Sequence, residues 1–247
     1  MHPIALLLAT LLAGGPPPLS GPDVRRLILD ERGGKRLELV RRAPAETTPP
    51  MEGTLELVEA GVRRPLAEKV GAAVLAPDGA VLIVRKGELL RLEKSGRVQR
   101  LATGLAPELA IDPGGARVAL VRPLATGGSA IEVLELSGEA KATAGRVVVS
   151  GPGWNNAPDF APDGQSLLFV STRTGLSSVF RVGLDGKGER QLTNRGLTRV
   201  GPRFVPPPQR GMVRHFDGQR FGWAADGARW FVDLSTGTSG RAPGGGR

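Results

Sequence analysis

Few of the side chains that usually move protons or hold metals are present. Histidine occurs only as His2 and His215, and Cys and Tyr are absent. A multi-histidine metal site cannot form, and thiol chemistry and thiolate ligation are excluded. A Ser-His-Asp arrangement would have His215 as its base once His2 leaves with the N-terminal segment. His215 sits in Met212-Val-Arg-His-Phe-Asp-Gly, beside a turn at Asp217-Gly218, and reads as a strand residue. Paired carboxylates for acid and base work need two acids brought to one pocket, whereas Asp78, Asp112 and Asp163 stand in turns and there accept from backbone N–H groups. These readings predict no enzyme, no catalytic residue, no metal-binding residue and no cofactor; a calcium ion held by oxygens from separate parts of the chain stays open, although no sequence-local loop of oxygen ligands is present.

Charge is the larger chemical resource. Lys and Arg number 33 against 24 acids, a net charge of +9, and 27 of the 33 are Arg. Arg41, Arg42, Arg85, Arg122 and Arg173 each fall at or just after the end of a short apolar run, and Trp154-Asn155-Asn156 and Arg199 fall in connections between such runs. A set of Arg85, Arg122, Arg173, Arg199, Trp154, Asn155 and Asn156 would offer guanidinium, indole and amide groups, which suit a protein or peptide partner bearing carboxylates. Specific nucleic-acid binding is not expected, because the 7 Phe and 3 Trp leave few stacking platforms and no RNA-binding signature is present.

The elements that would position these groups recur. An Asp-Gly or Gly-Gly turn followed by an apolar run appears at Gly34, Gly79, Gly115 and Gly164, and less clearly at Gly211. The spacings are 45, 36, 49 and 47 residues, close to the roughly 40–45 of a four-stranded propeller blade. The runs are Arg36-Leu-Glu-Leu-Val, Val81-Leu-Ile-Val, Val118-Ala-Leu-Val and Leu167-Leu-Phe-Val, as expected of strands covered on both faces. Each is followed by a run such as Thr54-Leu-Glu-Leu-Val or Val179-Phe-Arg-Val, where apolar and charged residues alternate. The expected fold is all-β: a β-propeller of about five four-stranded blades over 22–238, divided at 22–68, 69–104, 105–147, 148–196 and 197–238. With strands running a to d from the axis outward, the d–a and b–c connections share one rim. The chosen Arg, Trp and Asn residues would cluster there.

The string Pro158-Asp-Phe-Ala-Pro-Asp-Gly-Gln-Ser-Leu-Leu-Phe-Val-Ser-Thr-Arg, ending in Gly188-Glu-Arg-Gln-Leu-Thr-Asn, resembles the repeat of TolB-like propeller proteins. Gly71-Ala-Ala-Val-Leu-Ala-Pro-Asp-Gly and Glu108-Leu-Ala-Ile-Asp-Pro-Gly-Gly look like weaker copies. The resemblance covers the propeller and not the additional N-terminal α/β domain of TolB. It implies a non-catalytic periplasmic or secreted scaffold that binds other proteins; the alternative is a propeller-type hydrolase or lyase with a site in the axial channel. The apolar run Ile4 to Ala13, followed by Gly14-Gly15 and three prolines, reads as a signal peptide over 1–15. No transmembrane segment is then expected in the mature chain, and the composition specifies no oligomeric state. Residues 239–247, rich in Gly and Pro, are expected to be disordered.

Overall fold

The computed structural model describes residues 24–42, 52–136, 145–175, 178–192, 213–217, 220–225, 228–233 and 239–241. The expected signal peptide 1–15 and Arg199 lie outside them. All regular structure among these residues is β, and adjacent strands pair antiparallel. No helix among them is long and apolar enough to cross a membrane. The chain divides into two compact units, Met1–Leu109 with Ser137–Ala142, and Ala110–Leu136 with Thr143–Arg247.

The first unit carries a seven-stranded sheet in sequence order. Its strands are β1 (Val24–Arg32), β2 (Lys35–Arg42), β3 (Gly53–Glu59), β4 (Val62–Leu75), β5 (Val81–Arg85), β6 (Glu88–Leu92) and β7 (Val98–Thr103). Apolar residues of alternate positions, among them Leu37, Leu39, Leu55, Leu57, Leu75, Ile83 and Leu90, form one buried core. Two separate four-stranded blades were expected here. They are instead joined, because β4 serves both neighbours: its first half pairs with β3 and its second, from Val70, with β5. The first half is largely exposed and the second buried. The bend between them falls at Lys69, whose φ is +54°; a loop is replaced by one left-handed residue.

The second unit carries three four-stranded sheets. One holds β8 (Leu109–Ile111), whose first residue is counted with the other unit, β9 (Arg117–Pro123), β10 (Ser129–Glu135) and β11 (Arg146–Val149). The next holds β12 (Asn155–Phe160), β13 (Ser166–Ser171), β14 (Ser178–Gly183) and β15 (Arg190–Gln191). Every residue of β13 is buried, as its uninterrupted apolar run requires. The last sheet holds β16 (Val213–Asp217), β17 (Arg220–Ala225), β18 (Ala228–Asp233) and β19 (Ser239–Arg241). Strand β19 falls inside the segment that composition assigned to a disordered tail. Its three residues pair with Trp230, Phe231 and Val232, so hydrogen bonding to a neighbouring strand orders what composition alone would leave loose.

The repeated turns take the conformation their sequence requires. Gly34, Gly79, Gly115 and Gly164 have φ of +73°, +83°, +76° and +64°, values that L side chains resist. Asp78 accepts from the Ala80 N–H at 3.0 Å, Asp112 from Arg117 at 2.9 Å and Asp163 from Gln165 at 2.8 Å. These carboxylates hold turns together.

Candidate functional site: a three-turn rim in the second unit

Three turns of the second unit meet around Trp154. The first, between β9 and β10, is closed by Leu124 N–H to the Gly128 carbonyl at 3.1 Å and Gly127 N–H to the Leu124 carbonyl at 3.0 Å. The second connects β11 to β12 and passes Gly151 and Gly153, with φ of +126° and +83°. The third follows β13 and is closed by Gly175 N–H to the Thr172 carbonyl at 2.9 Å. Ser129 N–H donates to the Gly153 carbonyl at 3.3 Å, joining the first two. Thr172 N–H donates to the Trp154 carbonyl at 3.0 Å and the Trp154 N–H to Thr172 Oγ1 at 2.9 Å, joining the last two. Gly128 lies so close to Gly153 that a side chain there would overlap its carbonyl. The indole of Trp154 is left 45% exposed on a backbone fixed from both sides.

Beneath it lies a buried polar cluster. Asn155 is fully buried, and its side-chain amide donates to the Ser129 carbonyl at 2.6 Å. Its Oδ1 accepts from Ser171 Oγ at 2.8 Å and from the Arg173 guanidinium at 2.7 Å. Its backbone N–H donates to Ser129 Oγ at 2.8 Å, and that hydroxyl donates to its carbonyl at 2.7 Å. Arg173 further donates to Ser171 Oγ at 2.9 Å and to Glu189 at 2.5 Å. Its guanidinium carbon lies 5.4 Å from the Phe169 ring centre and 5.2 Å from that of Phe180, rings that stack on each other at 5.6 Å. Buried polar groups are costly unless paired. Asn155 and Arg173 therefore act as fasteners between β10, β12 and β13, and not as free groups on a rim.

The remaining predicted residues have separate environments. Arg122 forms a two-pronged pair with Glu132, at 2.6 and 3.0 Å, and this hydrogen bonding raises its already high pKa against the cost of burial. Asn156 is half-buried, and its Oδ1 is buried with no hydrogen-bond partner. It precedes a bulge at Ala157, with φ of +48°. Arg85 belongs to the first unit, at the end of β5, and its Nε is buried without a partner. His215 lies in β16. No group of three His, Asp or Glu among the described residues is arranged to hold a metal.

Sequence reasoning missed the partners: Ser129, Ser171, Thr172, Glu132, Glu189 and the Phe169–Phe180 pair. Only for Glu132 was a local signal present. The hairpin register sets Arg122 opposite Ala130, two residues from Glu132 on the same face.

No known family profile matches the chain. An uncharacterised protein of Agrobacterium fabrum is 31% identical over 71 residues, 29% of this chain and 24% of that protein. TolB of the Tol-Pal system of Bordetella pertussis is 42% identical over 41 residues, 17% of this chain and 9% of TolB. The chain thus spans under a quarter of the relatives' length. Among solved structures, TolB from Acinetobacter baumannii superposes with a TM-score of 0.62 at 17% identity, over 84% of this chain and 52% of that one. A puromycin hydrolase gives 0.60 at 18% identity, over 91% and 39%. An oligogalacturonate lyase in complex with manganese gives 0.56 at 13%, over 84% and 61%.

The last two overturn the expectation that the protein is not an enzyme. Scarcity of histidine does not exclude catalysis: a hydrolase and a lyase are built on this same fold, and chemistry resides in sites grafted onto a fold and not in its composition. The fold itself is settled by the same comparisons: the chain has a TolB-like β-propeller fold, carried by the repeat that its Pro-Asp-Gly turns announce.

Proposed function

We propose that the protein is a periplasmic or secreted propeller that binds a protein or peptide partner on the rim made by residues 124–128, 150–154 and 172–175. The observation that carries this reading is Trp154. A large indole left 45% exposed on a rigid, doubly hydrogen-bonded backbone is the kind of aromatic anchor that dominates binding energy at interfaces, because it offers a large contact area at little conformational cost. Arg122 and Arg173 already hold Glu132 and Glu189, so a carboxylate of the partner reaches them only by displacing these acids. The indole supplies the contact area, and the Asn155 cluster supplies the rigidity. The periplasmic assignment rests on the apolar N-terminal run and on the likeness to TolB.

The test is a pull-down from an envelope fraction with wild-type protein and the Trp154→Ala variant. The expected result is a protein retained by the wild type and lost by the variant at an unchanged melting temperature. Identical retention by both would refute the reading.

A second reading, a propeller hydrolase or lyase, is favoured by the fold likeness to puromycin hydrolase and oligogalacturonate lyase. It predicts turnover of an aminoacyl amide or a polyuronide that co-purifies with the chain through successive columns.

A further inference from the structure

The sheet of the first unit gathers cations at one end. Val70 of β4 pairs with Arg85 of β5, and the residues just beyond that pair are Lys69 and Lys86, both exposed. Gly53 of β3 pairs with Val70 from the other side, and a Cβ on it would lie 2.9 Å from Arg41 Cγ, so the Arg41 stem crosses the same end. Cations gathered at one strand end repel one another unless carboxylates intervene, and the register partner of Arg85 across the β5–β6 hairpin is an acid, Glu88. Other cations of this sheet answer that with a carboxylate, as Arg100 does with Glu88 at 3.1 Å and Lys35 with Glu59 at 3.1 Å. Lys69, Arg85 and Lys86 form no ion pair among the described residues: the neighbouring acids Glu52 and Glu68 are not within pairing distance of them, and Glu88, opposite Arg85, is held by Arg100.

The backbone singles out the same residues. Ala60, Lys69, Lys86 and Ala157 are the non-glycine residues with positive φ among those described, and Lys69 and Lys86 stand at +54° and +49°. Lys86-Gly87 closes a two-residue hairpin whose first position favours Asn or Gly. A lysine in that conformation is strained, and strain of this kind gathers at binding sites. Charge left unpaired and backbone held under strain thus coincide at one strand end.

We propose that Lys69, Arg85 and Lys86 form a binding site for clustered carboxylates, such as an acidic peptide segment presents. With its Nε buried, Arg85 would meet a carboxylate end-on, through the terminal N–H groups of its guanidinium. The two ammonium groups take the neighbouring acids as point charges. A phosphate polymer fits less well: these strand ends offer no aromatic ring for a base to stack on.

The test titrates the full chain with a labelled hexaglutamate peptide at low and at physiological salt. Binding should weaken at least about fivefold with salt, because exposed charges are screened. It should weaken at least about tenfold in the Lys69→Glu, Lys86→Glu double variant, where two attractions become repulsions. Reversing Arg32 and Lys187, the same change in net charge elsewhere, should alter it less than about twofold. The Lys69→Gly, Lys86→Gly variant relieves the backbone and should melt higher than wild type while still losing the peptide; it keeps the test open if the reversal variant does not fold. Absence of binding by the wild type, retained binding in both lysine variants, or equal losses from the Arg32 and Lys187 control would each overturn the proposal. Stronger competition by a hexathymidylate than by unlabelled peptide would overturn it in favour of a nucleic acid.

Discussion

Gly127 and Gly128 stand side by side in the turn between β9 and β10, with φ of +88° and +80°, yet their surroundings differ. A Cβ on Gly127 meets nothing within 4 Å, so Gly127→Ala should cost only the conformational penalty, about 1–2 kcal/mol. A Cβ on Gly128 would overlap the Gly153 carbonyl oxygen and lie 2.9 Å from its carbonyl carbon. Those are backbone atoms, held by the Ser129 N–H at 3.3 Å, and cannot swing aside as a side-chain end would. Gly128→Ala should therefore lose the same conformational term plus about 1–3 kcal/mol of overpacking. For a chain of this size roughly 2–4 °C of melting temperature accompanies each kcal/mol. The losses should be about 2–8 °C for Gly127→Ala and about 4–20 °C for Gly128→Ala, read by far-UV circular dichroism. Below both midpoints, Gly128→Ala should also weaken partner capture, because the displaced Gly153 carries Trp154 with it. Equal losses for the two variants would mean that the two turns do not touch, and the rim would lose its rigid base.

Arg173→Ala should cost about 2–4 kcal/mol in urea denaturation, since it strips Asn155 and Glu189 of a charged donor and uncovers two rings; a loss under about 0.5 kcal/mol would contradict the fastener role. Arg173→Lys should recover less than half, because one ammonium cannot meet Asn155, Ser171 and Glu189 while stacking on both rings. Gly164→Val should cost about 1–2 kcal/mol through its φ of +64°, and more if the new side chain, placed 3.4 Å from the Arg117 guanidinium, breaks the 2.9 Å bond from Arg117 to the Gly164 carbonyl. Burial pushes the Asp78 carboxyl up, but the Ala80 N–H, Arg91 and Lys94 together hold it below the usual carboxylate range. Its contribution to stability is then fully present above the unfolded-state value, about 4, and is lost as pH falls through the lower folded value. Asp78→Asn should melt below wild type at pH 7, and the gap should close on acidification; a gap independent of pH would assign the effect to the turn hydrogen bond alone.

Strand positions and turn types were legible in the sequence because both are local. An apolar run between two turns can bury itself only as a strand, and Val81–Arg85, Glu88–Leu92, Arg117–Pro123 and Ser166–Ser171 form where such runs stand. The Asp-Gly and Gly-Gly turns likewise adopt the positive φ that Gly permits at low cost. Placement of Arg85, Arg122 and Arg173 at strand ends followed from the same alternation. What those arginines do there was decided by partners far along the chain: Glu132 for Arg122, Asn155 and Glu189 for Arg173, and none for Arg85 among the described residues. Spacing cannot tell a solvated guanidinium from one folded onto two phenylalanines, because that depends on register and on which sheet lies alongside. The same holds for β4, where one left-handed lysine replaces an expected loop, and for Ser239–Arg241, where pairing with β18 overrides a composition that favours disorder. Local conformational preference fixed the elements of this protein; long-range pairing decided which of its charged and polar groups are spent on the fold and which are left for a partner.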